Sequence, residues 1–294
     1  MSTVLVTGLS GFTGHFLKER LEKDGHKVVG LAHDVHDPDN DMFQADLADI
    51  DSLKQVLDLV KPDYIIHLAA IAFVAHGSTD EIYQTNLIGT QHLLQAISKF
   101  DKQPKHILLA SSANIYGNAT VEPITESTPV NPANDYAVSK LAMEYMAKTW
   151  QERLPISFVR PFNYTGIGQS PNFLLPKIVK HFKEKASVME LGNLDVVRDF
   201  SDVRDVVDAY ARLIQTLANH EAFNICSGKG ISLLEVVEMM KQISGHDLEI
   251  KVNPAFVRAN EVKRLVGSDE KLQSAIGKRD LHLIEDTLSW MYHS

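Results

Sequence analysis

Short runs of β-branched and aliphatic residues alternate with longer amphipathic stretches through the first half of the chain. Residues 4–7, 27–31, 64–68 and 106–110 are nearly continuous in apolar side chains, the pattern of strands buried on both faces. Residues 14–24, 52–60, 82–100 and 135–153 carry apolar positions at helical spacing between or after those runs. Strand, helix, strand at this spacing calls for parallel strands joined by right-handed crossovers. The predicted fold class is therefore α/β, a doubly wound parallel sheet of the Rossmann type. Residues 156–159 read as a further strand of that sheet and 222–226 as one more. After residue 160 the alternation weakens, and Pro161, Gly166, Gly168, Pro171 and Pro176 punctuate a loop-rich stretch. Helical patterns return over 173–185, 203–218 and 233–244. The expected division is a main domain over 1–160 and a smaller C-terminal lobe over 161–294, mixed with elements that return to the main sheet.

Bulk properties narrow the class. The chain has 294 residues, 44% hydrophobic and 23% charged, ordinary values for a globular protein with a sizeable core. A formal charge of −9 argues against a general nucleic-acid surface, so no nucleic-acid partner is expected. No apolar run approaches the roughly 18 residues that a membrane span needs, and a strand beginning at Val4 leaves no room for a signal peptide. Cys226 is the only cysteine, which excludes an intrachain disulfide and fits a reducing, cytoplasmic setting. The 13 histidines are scattered without metal-ligand spacing, and no metal site is expected.

Two motifs carry chemistry. Gly8, Gly11 and Gly14, with Phe12 and Thr13 between the last two, follow a predicted strand and open a predicted helix. Glycine permits the tight turn and lets backbone N–H groups approach a dinucleotide diphosphate at the helix N-terminus. Further on, Tyr136 and Lys140 are four residues apart and share a helix face, downstream of Ser112 at a predicted strand end. An ammonium beside a phenol favours the phenolate, so Lys140 is expected to lower the Tyr136 pKa and make it an acid/base nearer neutrality. Ser112 would hydrogen-bond the substrate oxygen and steady the charge developing there.

Glycine loop, Ser112, Tyr136 and Lys140 in this order resemble the short-chain dehydrogenase/reductase superfamily, in its extended, sugar-nucleotide-modifying branch. The resemblance runs from Val4 to about Gly277 and departs at Gly277-Lys278-Arg279, where many relatives have Gly-Trp-x-Pro. It implies that Ser112, Tyr136 and Lys140 are catalytic and that the lobe after residue 160 binds a nucleotide-linked sugar. Cofactor contacts would come from Gly8, Gly11, Phe12, Thr13, Gly14, His33, Asp46, Leu47, Leu68, Ala69, Ala70, Asn86, Tyr136 and Lys140. Where NAD-dependent epimerases of the branch carry an aspartate at the end of the second strand, this chain has Ala32, followed by His33. Without an acid to repel a 2′-phosphate, NADP(H) is favoured. No Arg or Lys occupies the turn and Asp34 is close, which leaves NAD(H) open. Asp46 resembles the adenine-contacting acid of the branch and equally suits a turn aspartate; Asn86 resembles an asparagine that supports the active site, or is a plain polar helix residue.

Asn163, Arg198, Arg258 and Glu261 match substrate-holding positions, the arginines on the diphosphate or base side and Glu261 on the ribose. Two residues before Tyr116, dehydratases of the branch carry a Glu and epimerase-reductases a Cys; here Asn114 can neither give nor take a carbon-bound proton. The implied reaction is NADPH-dependent reduction of the C4 ketone of a nucleotide-linked 4-keto-6-deoxyhexose. GDP-4-keto-6-deoxymannose, giving a GDP-6-deoxyhexose such as GDP-rhamnose, is the expected case. An NAD-dependent sugar-nucleotide 4-epimerase and a non-catalytic dinucleotide sensor are the alternatives. A homodimer through the helices at 82–100 and 135–153 is expected by analogy.

Overall fold

The computed structural model describes residues 1–33, 37–72, 78–216, 220–257 and 261–294. The chain begins with β1 (Thr3–Thr7), α1 (Phe12–Lys23), β2 (Lys27–Ala32), β3 (Met42–Gln44), α2 (Ile50–Val60) and β4 (Tyr64–His67). Then come α3 (Thr79–Tyr83), a π-helical turn over Gln84–Gly89, α4 (Thr90–Ser98), β5 (His106–Ala110), α5 (Asp135–Lys148) and β6 (Ile156–Pro161). The later elements are β7 (Asn163–Thr165), α6 (Leu174–Lys183), β8 (Val188–Leu191), β9 (Val197–Asp202), α7 (Val203–Leu213), β10 (Ala222–Ile225), β11 (Gly230–Ser232), α8 (Leu233–Ser244), β12 (Glu249–Val252), β13 (Arg264–Leu265), α9 (Glu270–Ile276) and α10 (Ile284–His293).

Seven strands form one parallel sheet in the order β10-β6-β5-β4-β1-β2-β3. Alternate side chains of each strand point to opposite faces, which explains the unbroken apolar runs. Val4, Val6, Val28, Ile66, Leu108 and Val159 pack with α1 and α7 on one face. Leu5, Val29, Ile65, Ile107, Leu109 and Phe158 pack with α2, α4 and α5 on the other. Residues beyond 160 thus return to the main sheet through α7 and β10. The rest build a second core around Leu175, Phe182, Met189, Phe200, Val236, Met240 and Leu288. There β9 is flanked by β11 and β13 and also pairs with β7, which follows β6 after a single residue.

Some boundaries differ from the sequence pattern. The continuous helix expected over 82–100 is α3, a π turn and α4, because helix-compatible apolar spacing does not reveal a register change. The helix expected to end at 153 stops at Lys148. Strand β3 was not legible, being three residues at a sheet edge with no alternation to read. Among the described residues, no helix is long and apolar enough to cross a membrane, and no group of three or more His, Cys, Asp or Glu could hold a metal ion.

One buried ion pair ties the sheet to the helix that carries Tyr136. Arg160 on β6 donates from Nε and Nη2 to the two Glu144 carboxylate oxygens of α5, at 2.9 and 2.6 Å. Its Nη1 donates to Tyr116 Oη at 2.8 Å, and that hydroxyl donates to Asn224 Oδ1 on β10 at 2.8 Å. Removing one partner leaves the other charge buried and uncompensated. Glu144→Ala is therefore expected to lower the unfolding free energy by about 3–5 kcal/mol in urea denaturation, whereas a loss below about 1 kcal/mol would show that Arg160 is satisfied without it.

Candidate active site

The glycine loop, His33, Leu68–Ala70 and Ser112 follow the carboxyl ends of strands of the main sheet. After β1 the chain turns at Gly8, where φ is +73° and a Cβ would sit 2.9 Å from Ala69 N. A Cβ on Gly14 would lie 2.6 Å from the Gly8 carbonyl oxygen. Only glycine fits either place, so the loop lies flat against Leu68 and Ala69 and brings α1 close behind it. Gly11 caps α1 without a side-chain hydrogen bond, and the first turn has no acidic residue. The positive end of the helix dipole and its first N–H groups are left for an anion. This cradle fits a dinucleotide diphosphate. The side chains of Phe12 and Thr13 point elsewhere. Thr13 Oγ1 is hydrogen-bonded to Tyr164 Oη at 2.8 Å, and the Phe12 ring stacks on Tyr164 with centroids 6.2 Å apart. Their contribution to a ligand is therefore backbone N–H.

At the end of β2, Ala32 is buried and His33 is exposed, and Asp34 lies outside the described residues. His33 Nε2 is 3.6 Å from Asp46 Oδ2, while Asp46 Oδ1 accepts from Ala48 N at 2.8 Å. Asp46 is thus a turn aspartate in this structure, with one oxygen facing His33. Leu47 accepts from His92 Nδ1 through its carbonyl at 2.9 Å, and its side chain fills the space a Cβ on Gly89 would need.

Asn86 is buried and its amide is engaged by protein. Oδ1 accepts from Ile71 N at 2.8 Å, and Nδ2 donates to Ile71 O at 3.1 Å and to Ser139 Oγ at 3.0 Å. Both amide hydrogens are thus committed within the protein, joining Ile71 to the helix that carries Tyr136. Ser139, between Tyr136 and Lys140, in turn donates to the Tyr136 carbonyl at 2.8 Å. A hydroxyl on the inward face of this helix was the available signal for Ser139, and its role was missed.

Asn134 caps α5 by accepting from Ala137 N at 2.9 Å, which fixes Tyr136 at the start of the helix. The Ser112 side chain lies beside the Tyr136 phenol and favours its ionised form. Ser112 Oγ also accepts from Asn114 N at 3.2 Å, capping the single turn that follows β5. Lys140 is buried, and its Nζ donates to Ala110 O at 2.8 Å. The sequence places the three together correctly, but the expected electrostatics need correcting. Tyr136 is half-buried by surface, yet desolvation pushes its phenol up to about 12, with Ser112 opposing. Lys140 does not lower it: its Nζ lies over the ring face, 6.0 Å from the centroid, and burial brings Lys140 itself down to about 8 while Glu144 opposes. Tyr164 adds to the rise at Tyr136, and both reinforce burial in raising Tyr210. These neighbouring phenols are held neutral. Tyr164 went unremarked as an individual residue, although it directly follows the Arg160–Asn163 segment.

Of the predicted substrate residues, Asn163 is exposed on β7 opposite Phe200. Arg198 and Glu261 meet each other, Nη2 to Oε1 at 2.7 Å, because β13 lies beside β9. They form one ion pair rather than two separate contacts. Arg258 lies outside the described residues.

The chain is similar to known proteins over nearly its whole length. The chain is 39% identical over 275 residues to GDP-6-deoxy-D-talose 4-dehydrogenase of Aggregatibacter actinomycetemcomitans, covering 93% of this chain and 91% of that protein. It is 34% identical over 296 residues to GDP-6-deoxy-D-mannose reductase of Pseudomonas aeruginosa, covering 97% and 94%. The structure of RMD from Pseudomonas aeruginosa complexed with NADPH superposes with a TM-score of 0.88 at 32% identity, over 100% of this chain and 98% of that one. The profile of the NAD dependent epimerase/dehydratase family matches residues 4–226, and this chain belongs to that family.

Proposed function

We propose that this protein is an NADPH-dependent reductase of the C4 ketone of a nucleotide-linked 4-keto-6-deoxyhexose, with GDP-4-keto-6-deoxymannose as substrate. The observation that carries the proposal is a buried Tyr136 with Ser112 and the Lys140 ammonium beside it, next to a glycine cradle suited to a dinucleotide. Two relatives support it. Their names place 6-deoxytalose and 6-deoxymannose, which differ at C4, on a GDP carrier. Reduction of one 4-ketone from either face gives the two sugars.

In this reading Gly8, Gly11 and Gly14 admit the diphosphate, with the backbone N–H groups of Phe12 and Thr13 facing it. Leu68, Ala69 and Ala70 line the floor, and His33, Asp46 and Leu47 border the adenosine end. NADPH is preferred over NADH because Ala32 offers no carboxylate against a 2′-phosphate. Bound there, the dinucleotide supplies a hydride to C4. Ser112 donates a hydrogen bond to the ketone oxygen, and Tyr136 gives that oxygen its proton as negative charge develops. Lys140 supplies a buried cation beside the ring, and Asn86 and Ser139 hold the Tyr136 turn. Asn163, Arg198, Arg258 and Glu261 hold the nucleotide sugar. Asn114 provides no group to take a proton from C3 or C5, which separates simple reduction from elimination or ring epimerisation. A homodimer through α4 and α5 completes the proposal, with Tyr145 and Val138 of α5 exposed for contact.

The deciding experiment follows NADPH oxidation with GDP-, dTDP- and CDP-linked 4-keto-6-deoxyhexoses in deuterated water, with NMR of the products. The GDP sugar should be consumed fastest, NADPH should outperform NADH, and no deuterium should enter C3 or C5. Redox-neutral inversion at C4 of a nucleotide hexose would identify an epimerase instead, and inertness towards every keto sugar would remove the reductase. Tyr136→Phe should reduce turnover at least about a hundredfold while dinucleotide binding persists, and near-normal turnover would move the acid elsewhere.

The lowered pKa of Lys140 adds a stability signature. Its folded-state value, about 8, is below the unfolded 10.5, so the cost of burying the charge is fully present below pH 8. That cost fades as pH rises from 8 to 10.5, because the unfolded chain binds the extra proton over this interval. Lys140→Met should therefore be stabilised relative to the native chain at neutral pH, by a margin that shrinks in alkaline buffer, while losing activity. Denaturant titration at several pH values measures the margin, and a pH-independent difference would overturn the assignment.

A further inference from the structure

We propose that His67, as the neutral tautomer carrying its proton on Nε2, is a positioning residue that registers the glycine loop against the catalytic helix α5. Its turnover consequence rests on the reductase reading above; its tautomer does not.

Thr90 Oγ1 is 2.8 Å from the Asn86 carbonyl oxygen, which can only accept, so the single Thr90 hydroxyl proton is spent there. The same hydroxyl is 2.9 Å from His67 Nε2 and must accept from it, so Nε2 bears a hydrogen. On the other side of the ring, Nδ1 is 2.7 Å from Thr7 Oγ1. That hydroxyl already accepts from Ala69 N at 3.1 Å, and its proton is left to go to an unprotonated Nδ1. Neutrality follows from the surroundings. The ring is 2% exposed and has no carboxylate partner; burial first, then the nearby Lys140 ammonium, brings its pKa down to about 3.

The result is one directed chain: Ala69 N to Thr7 Oγ1, Thr7 to His67 Nδ1, His67 Nε2 to Thr90, and Thr90 to the Asn86 carbonyl. From Asn86 the amide passes on to Ser139 Oγ, and Ser139 donates to the Tyr136 carbonyl. Thr7 immediately precedes Gly8, and Tyr136 is the proposed acid. Thr7, His67, Asn86, Thr90 and Ser139 are all buried, so water cannot substitute for a missing link without entering the core. The π turn over Gln84–Gly89 contains Asn86, whose amide faces α5 through Ser139 while its carbonyl accepts from Thr90.

Two measurements test this. Nitrogen-15 NMR of histidine-labelled native protein should show His67 with a protonated Nε2 and a bare Nδ1, unchanged across about pH 5–8 where an ordinary histidine titrates. A proton on Nδ1, or titration in that range, would overturn the proposal. The second uses two amides that each keep one link: His67→Asn retains an acceptor near the Nδ1 position, and His67→Gln a donor near the Nε2 position. If His67 registers both elements, each variant should lose kcat by about 10- to 100-fold while substrate KM and dinucleotide affinity change far less. Native turnover in either variant would show that one half of the chain is dispensable and would end the coupling role. If neither variant folds, the native spectrum still decides. A native protein that reduces no keto sugar would sink the reductase reading alone and leave the spectrum to judge the tautomer.

Discussion

The space where a Gly8 side chain would project is occupied by the backbone of Ala69. That close approach happens between β1 and β4, where the sheet order reverses and the flanking crossovers leave on opposite faces. A crevice opens there at the carboxyl ends of the strands, and the candidate residues are positioned with respect to it. The glycine loop leaves β1, Ala32 and His33 end β2, Leu68 and Ala69 follow β4, and Ser112 follows β5. Because the strands are parallel and buried on both faces, their ends cannot shift individually without disturbing two cores. The site inherits its rigidity from the sheet.

Inside that crevice the protein withdraws ionisable groups from solvent and shifts their pKa values. Lys140 is dehydrated, Tyr136 and Tyr164 are pushed towards the phenol, and His67 is held neutral. Burying the Lys140 charge is unfavourable for folding, and its hydrogen bond to Ala110 O offsets part of that cost. Glu144 links the two scales. It sits one turn beyond Lys140 and favours the lysine charge, yet its carboxylate is forked by Arg160. The Arg160 ion pair therefore limits how much negative potential reaches Lys140 while it fastens α5 to the sheet.

What could be read in the sequence was local or periodic. Apolar runs announced the parallel sheet, and glycine spacing after a strand announced the cradle. Tyr136 and Lys140 four residues apart announced a shared helix face, and Ser112 at a strand end completed the trio. What could not be read depended on residues far apart in the chain. Arg198 and Glu261, 63 positions apart, meet only because β13 lies beside β9. Thr13 turns towards Tyr164, 151 positions away, rather than towards a ligand. The Tyr136–Lys140 spacing was right but its electrostatic consequence was not: burial, a tertiary property, outweighs an ammonium placed over the ring face instead of at the oxygen. The π turn was invisible because its residues suit an α-helix equally well.

The protonation state of Tyr136 also bears on direction. A relative bears the name of a 4-dehydrogenase and another that of a reductase, so the proposed reduction has an oxidative reverse to be weighed against it. No catalyst changes that equilibrium, but it can determine which protonation state waits for substrate. Reduction needs a phenol that can donate at once, whereas oxidation needs a phenolate that can accept. With burial holding Tyr136 up to about 12 and only Ser112 opposing, the waiting form at neutral pH is the donor. To run efficiently as a dehydrogenase, the site would have to bring a positive charge to the phenolic oxygen rather than to the ring face. Lys140 is the buried cation within reach of that ring, and its ammonium is anchored on Ala110 O. In the proposed reduction Tyr136 therefore needs no prior ionisation, because burial keeps it the phenol.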